Sequence, residues 1–186
     1  MKTSLTRRSI LAATSLVLAA GLALGACGGS SDTSTKKQGE LLNAGLQAEV
    51  QGDYATAKKN FEELLKADPT NKFAHYNLGY IAQTQDRDDT EATKHYEAAL
   101  KTDPEYGPAL YNLAIIKTAN GDDAGAILLY QRAGTANPTD ANTQLNLGLL
   151  LYKTGDTAGA DAALRKAIAL NPELRSRIPA DQQPAG

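Results

Sequence analysis

Tryptophan is absent from this chain, phenylalanine occurs twice and cysteine once. The single cysteine, Cys27, excludes an intramolecular disulfide and any cluster of thiolate ligands. Basic side chains are in deficit: 19 Lys and Arg stand against 21 Asp and Glu in 186 residues. Phosphate backbones are bound by a basic stripe, so no nucleic-acid partner is expected. The two histidines, His75 and His95, lie 20 residues apart without metal-ligand spacing. Asp86, Asp88 and Asp89 cluster in a turn but lack the spacing and closing glutamate of a calcium loop. No glycine-rich phosphate loop is present. We therefore expect no catalytic residue, metal or cofactor. Strand-like alternation is missing too, and the apolar period is helical throughout.

One long uncharged, mostly apolar run is present, Ile10 to Leu24, of 15 residues. That is short for a membrane span, which needs ~20. It follows a basic start (Lys2, Arg7, Arg8) and ends in small residues before Cys27, the layout of an export signal over 1–26. Leu24-Gly25-Ala26-Cys27 resembles the lipobox of bacterial lipoproteins. The resemblance implies cleavage between Ala26 and Cys27 and lipid, with acyl chains such as palmitate, on the Cys27 thiol. Two acyl chains make a stable anchor, since each buried methylene contributes ~0.8 kcal/mol and one chain is marginal. The protein would then be exported and anchored to the outer face of a bacterial cytoplasmic membrane or the periplasmic side of the envelope. Thr6-Arg7-Arg8-Ser9-Ile10-Leu11 looks like a twin-arginine signal; an ordinary basic leader is the other reading. Loss of Lys2, Arg7 and Arg8 with the leader leaves 16 basic and 21 acidic side chains, a net charge of −5. Residues 27–39 contain no large apolar side chain and read as a flexible tether.

The remainder repeats itself. Pro69, Pro104, Pro138 and Pro172 are 35, 34 and 34 residues apart, each after Asp or Asn. A period of that length means a stacked array. Aligned on these prolines, the copies resemble the tetratricopeptide repeat, a 34-residue helix–turn–helix. We place repeats at about 38–71, 72–106, 107–140 and 141–174, within a domain over 40–178. The extra residue of the second repeat falls in the turn at Gln85–Asp89. Repeat position 8 is Gly45, Gly79, Ala114 and Gly148, and position 20 is Ala57, Ala92, Ala126 and Ala160. The resemblance puts these small residues where the two helices cross. Position 24, a large plug toward the neighbouring repeat, is Phe61, Tyr96, Tyr130 and Leu164. The prolines suit the first turn of the following helix. Gly134, inside a helix, predicts a local weak point. The expected fold is all-α: a right-handed superhelical array of four repeats. Leu174 and Ile178 pack a short capping helix onto its open end, and 179–186 form a disordered tail.

The resemblance also assigns a concave groove to positions 2, 5, 6, 9, 12 and 13 of the first helices. Position 6 is Asn43, Asn77, Asn112 and Asn146, a carboxamide per repeat able to pair with an extended backbone. Beside it runs an apolar and aromatic stripe: Tyr76 and Tyr111 at position 5, Tyr80, Ile115 and Leu149 at position 9, and Tyr152 at position 12. Exposed stripes of this kind mark partners, and tyrosine gives contact area with a polar tip. No set of lysines and arginines suited to clamping a terminal carboxylate is found at positions 2 and 5. His75 occupies a packing position, and His95 is expected to be exposed. These features point to a non-enzymatic adaptor or scaffold that binds a partner peptide or helix. The alternative is a homo-oligomer, a structural array that buries the same stripe in a dimer.

Overall fold

A computed structural model describes residues 31–184, with side chains from 33 onward. The segments 1–26 and 27–30, with the cleavage residues Ala26 and Cys27, lie outside the described residues. Eight α-helices follow one another: α1 (Ser31–Val50), α2 (Tyr54–Ala67), α3 (Lys72–Ile81), α4 (Asp89–Thr102), α5 (Gly107–Ala119), α6 (Asp123–Ala136), α7 (Ala141–Thr154) and α8 (Thr157–Leu170). A π-helical turn, Ala82–Asp86, extends α3, and two 3-10 turns, Pro172–Arg177 and Ala180–Gln182, end the chain. No strand occurs among the described residues. No described helix is long and apolar enough to cross a membrane.

Each second helix starts at an aspartate. Asp53, Asp88, Asp122 and Asp156 accept from the backbone N–H of Thr56, Glu91, Gly125 and Gly159, satisfying donors that a helix start leaves open. Between the pairs, Pro69, Pro104 and Pro138 sit three residues ahead of the first residue of the next helix, outside its first turn. They occupy the second position of β-turns closed by Asn71 N–H to Asp68 O (3.1 Å), Tyr106 N–H to Asp103 O (3.1 Å) and Asp140 N–H to Asn137 O (3.2 Å). Their fixed φ suits that position as well as it suits a helix start. Only Pro172 opens a helical segment, and Pro108 takes the first turn of α5.

The core is four apolar clusters in series. The first joins Phe61 and Leu64 of α2 to Ala74, Leu78 and Ile81 of α3. The second joins Tyr96 and Ala99 to Ala109, Leu113 and Ile116 of α5. The third joins Ala126 and Tyr130 to Leu147, Leu150 and Leu151 of α7. In the fourth, Leu174 and Ile178 take the place a next repeat would fill, over Leu145, Leu164 and Ala167. Each of the first three helix pairs therefore buries its open face on the following first helix, and the fourth on the cap, as stacked repeats require.

The plug residues also close on the glycine of their own pair. A methyl at Gly45 would collide with the Phe61 ring, one at Gly79 would lie 2.8 Å from the Tyr96 ring, and one at Gly148 2.7 Å from Leu164. A Cβ added at Gly134 would sit 2.6 Å from the side-chain amide nitrogen of buried Gln144, so α6 and α7 approach closely at this glycine.

Two expectations need correction. The tether is helical from Ser31: α1 starts ahead of the domain boundary, although residues 33–37 are exposed. Extending a helix already nucleated by packed residues adds one hydrogen bond per residue fixed, so polar residues can continue it. The tail is ordered through Pro184, which is buried, and the Gln183 amide donates to the carbonyls of Arg175 (3.4 Å) and Ile178 (3.3 Å). The expected short capping helix is present as a 3-10 helix, Pro172–Arg177. The inserted residue of the second repeat is absorbed by the π-helical turn, after which Arg87 takes the left-handed conformation (φ 57°) that Gly52, Gly121 and Gly155 supply in the other repeats.

Candidate functional site: a tyrosine-lined groove

The first helices α1, α3, α5 and α7 carry the groove positions. Tyr80, Ile115 and Leu149, one per repeat from the second to the fourth, are half-buried; Ile115 and Leu149 pack against the core and Tyr80 against Tyr76. Tyr76 and Tyr111 lie deeper. The Tyr76 ring packs on Tyr80 (centroids 6.5 Å apart), Tyr96 (6.0 Å) and Tyr106 (5.5 Å, edge-on). Tyr111 stands edge-on to Tyr130 at 5.9 Å. Offset and edge-on pairs of this kind contribute about 0.5–1.5 kcal/mol each beyond their buried area. Burial pushes the Tyr76 and Tyr96 hydroxyls well above the ordinary tyrosine value and Tyr106 to about 12, so all three stay protonated.

The asparagine row is not a row of four free amides. Asn43 is exposed. Asn77 is buried and donates to the Phe73 carbonyl of its own helix (2.8 Å). Asn112 donates to the Tyr96 hydroxyl (3.2 Å), which in turn donates to Gln83 Oε1 (2.8 Å). Asn146 donates to the Tyr111 hydroxyl (3.1 Å). Two of the four amides thus stitch one repeat to the one before it. Each amide has a second N–H and an acceptor oxygen. Tyr152, at the far end, donates to the Asp181 carbonyl (3.2 Å) and fastens the C-terminal segment to the array.

Two further groups went unnoticed in the sequence, and a third, the histidine pair, was not expected to meet. Glu49, at position 12 of the first repeat, is a half-buried carboxyl whose Oε2 is closed off from solvent without a hydrogen-bond partner. Burial pushes its pKa up to about 7. Writing out position 12 in full would have shown it. Tyr106 caps the aromatic group; its ring stands edge-on to Phe73 at 5.9 Å, with the Lys72 ammonium 5.1 and 5.2 Å from the two ring centres and 2.6 Å from Asp103. The histidines meet, and His95 is not exposed. His75 Nε2 lies 3.1 Å from the Pro69 carbonyl and so donates to it, leaving His75 Nδ1 to accept from His95 Nδ1 at 3.0 Å. Antiparallel helices of one pair bring together residues whose 20-residue separation spans the turn. Burial first, and His75 second, hold His95 below the ordinary imidazole value. No group of three metal-ligating side chains occurs among the described residues.

The matched helix pairs, the glycine crossings and the serial core define a helix–turn–helix solenoid with a recessed face. Models of the tetratricopeptide repeat match residues 42–105, 83–142 and 141–174, and the chain belongs to that family. Among solved structures it is similar to MamA (23% identity, TM-score 0.65), with 76% of this chain and 77% of that one covered. It is also similar to PilF of Pseudomonas aeruginosa (23%, TM-score 0.67; 77% and 65% covered). A third is YrrB, a tetratricopeptide repeat protein with an unusual peptide-binding site (19%, TM-score 0.66; 79% of each chain). At these identities the likeness is one of fold. The same fold occurs in an O-GlcNAc transferase of Thermobaculum terrenum, of which only 26% is covered. Among curated proteins, none matches this chain.

Proposed function

We propose that this protein is a lipid-anchored, non-enzymatic adaptor of a bacterial cell envelope, whose groove holds a segment of a partner protein. The observation that carries the reading is the half-open stripe of Tyr80, Ile115 and Leu149 on successive first helices, beside tyrosines already fixed by the core. Rigid aromatic side chains lose little entropy on binding, so area buried on them converts well into affinity. YrrB, which shares the fold, has a peptide-binding site. The leader and Cys27 supply the anchor in this reading, and attachment raises the local concentration of the groove at the membrane.

The test is crosslinking and affinity purification from native membranes, comparing the natural chain with Tyr80→Ala/Ile115→Ala/Leu149→Ala. These three positions spare the Asn–Tyr hydrogen bonds, so helical content is expected to persist in circular dichroism. A partner held by the natural chain and lost from the variant supports the groove. Retention of every partner overturns it. For the anchor, Cys27→Ala is expected to leave the membrane fraction or stay unprocessed; normal processing with membrane retention overturns that part. Sedimentation of the natural chain reads the dimer alternative directly, as a mass that rises with concentration.

A further inference from the structure

The groove carries one polar group that its own fold does not satisfy. Glu49 sits on the last turn of α1, within electrostatic reach of Tyr76 and Tyr80 of α3, whose rings stack with centroids 6.5 Å apart. Its Oε2 is shut off from solvent and accepts no hydrogen bond. Buried carboxylate oxygens are ordinarily paired, and an orphan calls for an explanation. Here every titratable neighbour named above is a tyrosine, and no cation contributes to the shift of the carboxyl. Charge elsewhere along the groove positions is compensated: Lys153, at position 13 of the fourth repeat, is held by Asp123 at 2.8 Å. Gln83, the position-12 counterpart of Glu49 in the second repeat, accepts from Tyr96. Glu49 is therefore a negative group in an aromatic recess, half-buried rather than sealed, and so open to approach.

We propose that Glu49, Tyr76 and Tyr80 form a subsite for one lysine or arginine side chain of the bound segment. The tyrosine faces attract a cation through their quadrupole, and the carboxyl supplies the countercharge and the acceptor. This rests on the groove reading and adds the chemistry of the guest: a basic residue with apolar neighbours, which lie along Ile115 and Leu149. It is the reverse of a carboxylate clamp, because the protein brings the acid and the guest brings the base. A cation seated there favours the ionised carboxyl, so binding releases a proton and tightens as pH rises from 6 to 8. Its electrostatic neighbours on α3, Tyr76 and Tyr80, have hydroxyls pushed up by burial and do not titrate in that range.

The experiment is selection from a random peptide display library against the full processed chain at pH 8, followed by affinity measurement on Glu49→Gln and on Tyr80→Ala/Ile115→Ala. Gln keeps the shape of Glu, removes the charge and exchanges one acceptor oxygen for an NH2 donor. Selected peptides are expected to carry Lys or Arg at one fixed place beside apolar residues. They should lose about tenfold in affinity on Glu49→Gln, equivalent to about 1.4 kcal/mol. Replacing their basic residue by norleucine should cost the same in the natural chain and nothing further in the variant. Affinity should rise between pH 6 and 8 for the natural chain and stay flat for Glu49→Gln. Peptides that need Tyr80 and Ile115 but show no basic preference overturn the cation subsite and leave the groove standing. Peptides indifferent to Tyr80 and Ile115, or no peptides, overturn both.

Discussion

Glu49 and the asparagines show how one residue type is recruited by its surroundings. The sign of the Glu49 effect on stability follows from its raised pKa. The folded state holds the carboxyl proton more tightly than the unfolded chain, whose value is near the ordinary 4.5. Its contribution is fully present below pH 4.5 and is lost as pH climbs through about 7. Glu49→Gln is expected to raise the melting temperature at pH 8, by roughly 1 kcal/mol of stability after allowance for solvent screening, and to do nothing at pH 4. Thermal melts at the two pH values check this; a variant less stable at pH 8 would mean that the charge is compensated. His95 acts in the opposite sense. Its lowered pKa means that the unfolded chain takes up the proton first, so its contribution falls as pH drops below about 6.5.

At the scale of single elements, the second repeat is the informative exception. Three turns use glycine at positive φ, and the fourth uses Arg87 after a widened helical turn. A non-glycine residue in the left-handed region is strained by about 1–2 kcal/mol, and glycine there loses part of that gain to its freer unfolded chain. Arg87→Gly is expected to stabilise by about 0.5 kcal/mol, measured as a shift in the urea midpoint at unchanged slope. A loss of stability would show that the Arg87 side chain contributes more than its backbone costs. The aspartate caps make the same point from the other side: a local side-chain bond starts each second helix whatever the rest of the array does.

At the scale of the whole molecule, stability is shared between neighbours, so damage at an end should stay near that end. Leu174 and Ile178 are 5% and 3% exposed over the last helix pair. Leu174→Ala/Ile178→Ala is expected to cost about 2–4 kcal/mol. Hydrogen exchange should locate the loss in α7 and α8, with α2 and α3 still protected. Uniform deprotection across all helices would instead show a single cooperative unit. Tyr152 links this end to the groove, because its hydroxyl holds the Asp181 carbonyl. The far end of the groove is therefore bounded by the chain's own C-terminal segment.

The spacing of four prolines and the small residues at positions 8 and 20 were enough to read the helix pairs, their order and the crossing points. Those features are local or strictly periodic, and periodicity survives in one dimension. Leu174 and Ile178 were legible as a cap for the same reason: an apolar step past the last repeat has one place to go. What the linear chain left open was which polar groups face one another once the helices stack. Asn112 and Tyr96, His75 and His95, and Glu49 and Tyr80 are 16, 20 and 31 residues apart and meet only across packed helices. The amides that looked free are partly taken, and a carboxyl that looked ordinary is left without a partner. Periodicity specifies where the backbones run; only the tertiary structure decides which side chains are already satisfied and which remain for a guest.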